Sequence, residues 1–146
     1  MNKNLFEKLN KYLADNAVMY IKLHNLHWNV YGLQFKPVHE YLEALYDDTT
    51  EKMDEIAEVI RMKGEYPAAS LAEYLKLSTI KELPSEKIAN KAALEIVLED
   101  LKALDAEAKD VRATADEDDI FDVVMMMEDY CAFYQKTIWF ISQMLA

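Results

Sequence analysis

The sequence contains few residues that favour sharp turns, with only 2 glycines and 3 prolines among 146 residues. A β-protein of this length needs many tight turns, and glycine and proline are the residues that most often form them. This scarcity therefore argues against a β-fold. Alanine, leucine, glutamate, lysine and methionine are abundant, and all of them favour helix. The composition predicts one domain, residues 1–146, built from a few long helices.

Cysteine and long apolar runs are also scarce. The single cysteine, Cys131, excludes an intrachain disulfide framework and fits a reducing compartment. No run of about 18 uncharged apolar residues is present, so no membrane span is expected. The first residues lack the basic segment and apolar run of a signal peptide. We therefore expect a cytoplasmic protein that does not enter a membrane.

Positive charge is in deficit, since 16 lysines and arginines face 27 aspartates and glutamates, which gives a net charge of -11. Affinity for nucleic acid comes largely from basic side chains that displace counterions from phosphates. DNA binding is therefore not expected. An acidic surface attracts cations, although the charge could equally serve only to keep the protein in solution.

Apolar residues recur at helical spacing through most of the chain. The first two long helices are predicted over residues 4–31 and 37–63, and Gly32 and Gly64 suit their C-terminal ends. A short helix is predicted over residues 70–77, in the connection that follows the second long helix.

A third long helix is predicted to begin at Pro84, with Ser85 as its N-cap, and to end near residue 113. The acidic cluster at residues 116–119 favours the N-terminus of a fourth helix, which runs to the chain end. The predicted fold is all-α: a four-helix bundle with a short helix in the crossover between helices two and three. The fourth helix has an unusually narrow polar stripe, which predicts that other subunits cover part of it.

Histidines and carboxylates that could bind a metal are concentrated in the first two helices. All three histidines lie within 16 residues, and His39, Glu43, Asp54 and Glu58 share one face of the second helix at 100° per residue. Imidazole and carboxylate groups together suit non-haem iron, manganese or zinc. We therefore predict metal ligands at His27, His39, Glu43, Asp54 and Glu58.

Axial distance limits how these residues can meet. The pair His39 and Glu43 lies about 22 Å along the helix from the pair Asp54 and Glu58, at 1.5 Å per residue. One straight helix cannot bring both pairs to one metal. Either the pairs form separate half-sites, or two copies of the helix lie antiparallel about a two-fold axis and complete two equivalent sites.

Taken singly, each of these residues has an ordinary structural explanation. A histidine on an apolar helix face usually packs in a core or interface, and helix carboxylates are usually solvated. His24 lies about 60° from His27 on the helical wheel and has no carboxylate partner by spacing, so we assign it no role. No Glu-x-x-His motif occurs, which argues against an intrachain di-iron site of the usual bundle kind.

Several runs of the sequence resemble one known family. These are residues 23–30 (Leu-His-Asn-Leu-His-Trp-Asn-Val), Phe35, His39-Glu40, residues 53–58 (Met-Asp-Glu-Ile-Ala-Glu) and residues 137–141 (Thr-Ile-Trp-Phe-Ile). They resemble the Dps proteins, the ferritin-like family of DNA protection during starvation that includes the neutrophil-activating mini-ferritins. The similarity extends over nearly the whole chain.

The resemblance implies a hollow dodecamer with a ferroxidase centre between two-fold-related subunits. His27 and His39 would come from one subunit, and Asp54 and Glu58 from the other. The family usually has Asp where this chain has Glu43, which is one methylene longer.

The implied reaction is oxidation of Fe(II), preferably by hydrogen peroxide, followed by storage of ferric mineral. The resemblance also suggests Asp118 and Asp122 as lining of a three-fold pore; both could instead be ordinary helix-end charges. An alternative reading is an oligomeric interaction or DNA-protecting protein whose metal site is degenerate or holds zinc as a substitute.

Overall fold

The computed structural model describes residues 1–146. It contains four long helices and one short helix: α1 (Lys3–Asn29), α2 (Phe35–Met62), α3 (Leu71–Leu77), α4 (Asn90–Glu117) and α5 (Phe121–Leu145). Helix α1 packs along α2, α4 packs along α5, and α3 lies against α1. The predicted all-α four-helix bundle with a short crossover helix is confirmed.

The core of the bundle is a single cluster of 28 buried residues drawn from all four long helices, together with Val30 just after α1. Each long helix contributes a fully buried side chain to this cluster: Leu26, Ile60, Val97 and Ile141. Burial of a side chain of this size contributes about 1.5–3 kcal/mol, so this cluster is the main source of stability. None of the helices is both long and apolar enough to cross a membrane.

The turn between α1 and α2 is fixed by a contact with the start of α4. Gly32 has φ 132°, and a Cβ at this position would lie 2.8 Å from the Asn90 side chain. With its amide oriented to satisfy its neighbours, Asn90 donates to the Tyr31 carbonyl and accepts from the Gln34 backbone N–H. Only glycine fits here, because both the backbone angle and the space exclude a side chain.

Two short strands correct the predicted start of the third long helix. Strand β1 (Val30–Tyr31) pairs in parallel with β2 (Ile88–Ala89). Helix α4 therefore begins at Asn90 rather than at Pro84, and Ser85 is an exposed loop residue instead of an N-cap. The backbone groups of β2 bond to β1, and this tertiary pairing overrides the local capping signal.

The acidic cluster also lies differently from the prediction. Asp116 and Glu117 end α4, and α5 begins only at Phe121. Asp119 has φ 55°, a left-handed conformation that breaks the helical path between α4 and α5. Carboxylates at a helix C-terminus oppose the macrodipole, and Arg112 offsets part of this cost through a 3.6 Å contact with Asp116.

A buried polar cluster ties the crossover to the bundle. Asp15 on α1 is fully buried, and it accepts hydrogen bonds from the Ser78 hydroxyl and the Thr79 backbone N–H, both 2.7 Å away. Lys11 contacts Asp15 at 2.6 Å and Glu107 of α4 at 2.9 Å. Burial and the neighbouring Asp15 carboxylate raise the pKa of Glu107 to about 8.

The raised pKa of Glu107 predicts a pH-dependent stability. The unfolded chain loses this proton near pH 4.5, whereas the folded protein keeps it to about pH 8. Stability from this group is therefore full below about pH 4.5 and declines until about pH 8. We expect the free energy of unfolding to fall by about 1–3 kcal/mol over this window. Glu107→Gln, which keeps a neutral side chain of the same shape, should flatten this decline.

The measurement is urea unfolding at a series of pH values, with Glu99→Gln, an exposed glutamate of the same helix, as the control. The pKa of Asp15 is lowered, so the stability that this carboxylate contributes is lost only as pH falls through that lowered pKa. Asp15 therefore does not contribute to the decline in stability between about pH 4.5 and 8. Equal pH slopes for wild type and Glu107→Gln would contradict the assignment.

Candidate metal centre

His27 and His39 form a reciprocal pair between the end of α1 and the start of α2. The Nδ1 atom of each imidazole lies 2.6 Å from the backbone carbonyl of the other histidine. Their rings stack at a centroid distance of 3.6 Å and an angle of 13°. A carbonyl oxygen only accepts, so each Nδ1 carries the proton. In the neutral imidazole, each Nε2 atom then keeps the lone pair that can bind a metal.

Glu43 joins this pair from one turn further along α2. Its Oε1 atom lies 3.9 Å from the Nε2 atom of His27 and 3.3 Å from the hydroxyl of Tyr46. The Glu43 side chain is 55% exposed, whereas that of His27 is 7% exposed. His27, His39 and Glu43 thus form one cluster, named here the histidine half-site, in which an anchored imidazole pair lies beside an exposed carboxylate.

Asp54 and Glu58 lie on the same helix but do not reach the histidine half-site. Helix α2 is continuous from Phe35 to Met62, so the axial separation of about 22 Å applies. Both carboxylates are exposed. No group of three or more His, Cys, Asp or Glu side chains is arranged to hold a metal ion within the single chain. The five residues stay predicted ligands, and the chain alone brings together only part of the set.

Comparison with known proteins identifies the family. The sequence model of the ferritin family, described as a ferritin-like domain, matches residues 6–146. A DNA protection during starvation protein from Helicobacter pylori (strain J99) is 36% identical over 141 residues, which cover 97% of this chain and 98% of that protein. The chain belongs to the Dps family of ferritin-like proteins.

Solved Dps structures share its fold closely. A Dps protein from Bacillus brevis superposes with a TM-score of 0.93 at 32% identity and covers 100% of both chains. Dps from Vibrio cholerae, described as a member of a broad superfamily of ferritin-like diiron-carboxylate proteins, gives a TM-score of 0.94 at 28% identity. That match covers 99% of this chain and 90% of the other.

Aromatic residues surround the histidine half-site of this Dps chain in a way that the sequence did not reveal. The Tyr46 ring meets His27 edge-on at 5.3 Å and stacks on His24 at 3.7 Å. His24 also contacts Trp28, a residue that is 66% exposed. Partial burial and the Glu43 carboxylate raise the pKa of Tyr46. One signal was available, because Tyr46 lies seven residues after His39 and shares its helix face.

The pore candidates lie where α4 gives way to α5, with Asp118 in the turn and Asp122 in the first turn of α5. Asp118 is exposed and accepts a hydrogen bond from Asn2. Asp122 pairs with Lys63 at 2.6 Å, and this contact lowers the pKa of the Asp122 carboxyl. Within the chain, the negative charge of Asp122 is therefore largely offset by Lys63. The role of both aspartates in a pore stays a prediction.

Proposed function

We propose that this Dps protein oxidises Fe(II) at a centre shared by two subunits and stores the ferric product in a hollow oligomer. The observation that carries the proposal is the reciprocal histidine pair, because it holds two protonated Nδ1 atoms inward and leaves two Nε2 lone pairs free. Two such donors with their rings 3.6 Å apart suit two neighbouring metal ions better than one. Iron is the substrate of this reaction.

The missing carboxylates come from a two-fold-related copy in this proposal. Each chain supplies His27, His39 and Glu43 to one centre, and Asp54 and Glu58 to the other. The continuous α2 helix supports this arrangement, since it keeps the two sets about 22 Å apart in one chain. An isologous dimer places the start of one α2 beside the end of the other and completes two equivalent centres.

The ligand set suits the proposed chemistry. Carboxylate oxygens are hard donors that favour Fe(III) over Fe(II), so binding assists oxidation. Two Fe(II) ions supply the two electrons that convert one hydrogen peroxide into two hydroxide ions. This pairing consumes peroxide without releasing a hydroxyl radical, which a single Fe(II) would generate. We therefore propose peroxide as the preferred oxidant, and zinc as a redox-inert ion that competes for the same ligands.

Exposed apolar side chains support assembly into a shell. Helix α5 exposes five large apolar residues: Phe121, Met125, Trp139, Phe140 and Met144. Leu33, in the turn before α2, is also fully exposed. Such surfaces mark protein contacts, and we propose a dodecamer built from two-fold dimers. The net charge of -11 opposes direct binding to DNA, so any protection of DNA would act through removal of iron and peroxide.

One observation favours a second candidate function. Glu43 replaces the aspartate usual in the family and is mostly exposed, so the centre could hold zinc without oxidising iron. The protein would then be an oligomeric interaction or DNA-protecting protein with a degenerate site.

Stopped-flow absorbance separates the two candidates. Fe(II) added to the anaerobic assembled protein should be oxidised at least about tenfold faster by peroxide than by dioxygen, and prior Zn²⁺ should suppress the reaction. Size-exclusion chromatography of the same sample should show a shell of twelve chains. Oxidation no faster than in buffer, with Zn²⁺ still bound, would contradict the ferroxidase proposal and favour the degenerate site.

A further inference from the structure

Tyr46 touches the histidine half-site at two points. Its hydroxyl donates to Oε1 of Glu43 at 3.3 Å, and its ring meets the His27 ring edge-on at 87°. Glu43 and Tyr46 are three residues apart on α2, a spacing that places side chains side by side on a helix. The hydroxyl is therefore the one group of the chain that restrains the exposed Glu43 carboxylate by a hydrogen bond.

His24 fixes the orientation of Tyr46 from the neighbouring helix. The two rings stack at a centroid distance of 3.7 Å and an angle of 20°. His24 is itself anchored, because its Nδ1 atom lies 2.8 Å from the Tyr20 carbonyl. The Tyr20 ring packs 4.6 Å from the His24 ring and 6.1 Å from the Tyr46 ring. Helix α1 thus presents a rigid aromatic surface against which Tyr46 lies.

We propose that Tyr46, held in place by His24, is a positioning residue that orients the Glu43 carboxylate toward the metal centre. This inference rests on the proposed function. Groups that hydrogen-bond a metal ligand from outside fix its direction, and their loss typically weakens metal binding about 10–100-fold. Glutamate has one more rotatable bond than aspartate, so Glu43 has more freedom to lose when it binds a metal.

The same geometry explains why glutamate is compatible with this position. The longer side chain reaches Tyr46 and is held between the hydroxyl and the imidazole of His27. An aspartate at position 43 would be one methylene shorter and would not span to the hydroxyl. The contribution of Tyr46 to metal affinity should therefore depend on Glu43. A purely structural effect of Tyr46 would be the same with any residue at position 43.

A double-mutant cycle tests this dependence. The probe is Co²⁺, titrated anaerobically into the assembled protein and followed by its d–d absorption, which reports coordination geometry. We expect Tyr46→Phe to raise the dissociation constant of Co²⁺ about tenfold and to change the spectrum when residue 43 is glutamate. In the Glu43→Asp background, the same Tyr46→Phe change should alter the dissociation constant less than about twofold.

Two further variants isolate the roles of the hydroxyl and of the stack. Tyr20→Phe removes a hydroxyl from the same aromatic group without touching Glu43, and it should bind Co²⁺ as wild type does. His24→Phe keeps a ring against Tyr46 and should bind Co²⁺ more tightly than His24→Ala does. Unfolding curves establish that each variant is folded.

An equal loss of affinity on Tyr46→Phe in both backgrounds would overturn the inference, because the effect would not pass through Glu43. Unchanged affinity and spectrum on Tyr46→Phe, with tight binding by wild type, would also overturn it and leave the proposed function intact. Failure of wild type to bind Co²⁺ at all would instead contradict the proposed function, and the inference with it.

Discussion

Assembled protein carrying His27→Ala, and separately protein carrying Asp54→Ala, should oxidise Fe(II) with peroxide at least about a hundredfold more slowly than wild type. Loss of a group that only hydrogen-bonds a metal ligand costs about 10–100-fold, so loss of a ligand itself should cost more. The His27 variant removes one anchored Nε2 atom that could bind a metal. It also leaves the backbone carbonyl of His39 without its imidazole donor. The Asp54 variant removes only an exposed carboxylate, which lies about 22 Å along α2 from His39.

Initial rates at saturating peroxide measure this effect, with Asp129→Ala as the control because Asp129 is an exposed aspartate of α5. The two variants are informative together. A large effect of His27→Ala with a wild-type rate for Asp54→Ala would mean that the histidine half-site works without the distant carboxylates. A wild-type rate for both would remove the basis of the assigned centre.

Replacement of Asp15 by alanine should destabilise the folded protein by about 3 kcal/mol. The Asp15 carboxylate is fully buried and accepts hydrogen bonds from Ser78, Thr79 and Lys11. Alanine leaves these donors without their acceptor, and removal of one partner from a buried charged pair is strongly destabilising. Since Ser78 and Thr79 follow α3, the crossover should also loosen from the bundle.

Urea unfolding and amide hydrogen exchange measure these two effects. Asp110→Ala is the matched control, because Asp110 pairs with Lys8 at 3.1 Å while its side chain is 59% exposed. That change should cost at most about 1 kcal/mol. Similar costs for Asp15→Ala and Asp110→Ala would contradict the importance given to the buried cluster.

The helices were predictable where the local sequence pattern, in apolar spacing and capping residues, agrees with the tertiary packing. Periodicity located α1 and α2, and the short helix predicted at residues 70–77 is α3, which Ser70 caps through its contact with the Glu73 backbone N–H. Ser85 failed as a cap because strand pairing of Ile88 and Ala89 delays the start of α4. The acidic cluster was predicted at the start of α5, whereas it lies at the end of α4 and in the turn that follows, since charge alone does not tell on which side of a turn a residue lies.

The residues of the candidate metal centre were predictable from the sequence, but the contacts that hold them were not. Spacing placed His39 and Glu43 on one face of α2, and the structure brings His27, also a predicted ligand, beside Glu43 from α1. The reciprocal Nδ1 bonds depend on two backbone carbonyls, which no side-chain pattern encodes. The stack of His24 on Tyr46 depends on the register of α1 against α2. His24 therefore had no visible role until the two helices were placed together.

Subunit complementation tests the shared centre most directly. His27→Ala/His39→Ala chains are mixed in equal amounts with Asp54→Ala/Glu58→Ala chains, denatured, and reassembled, and Fe(II) oxidation by peroxide is measured. Each variant alone should be inactive. The mixture should regain about a quarter of wild-type activity, because half of the dimers are mixed and each mixed dimer restores one of its two centres. A reassembled mixture as inactive as its components would contradict a centre built from the histidines of one subunit and the carboxylates of another.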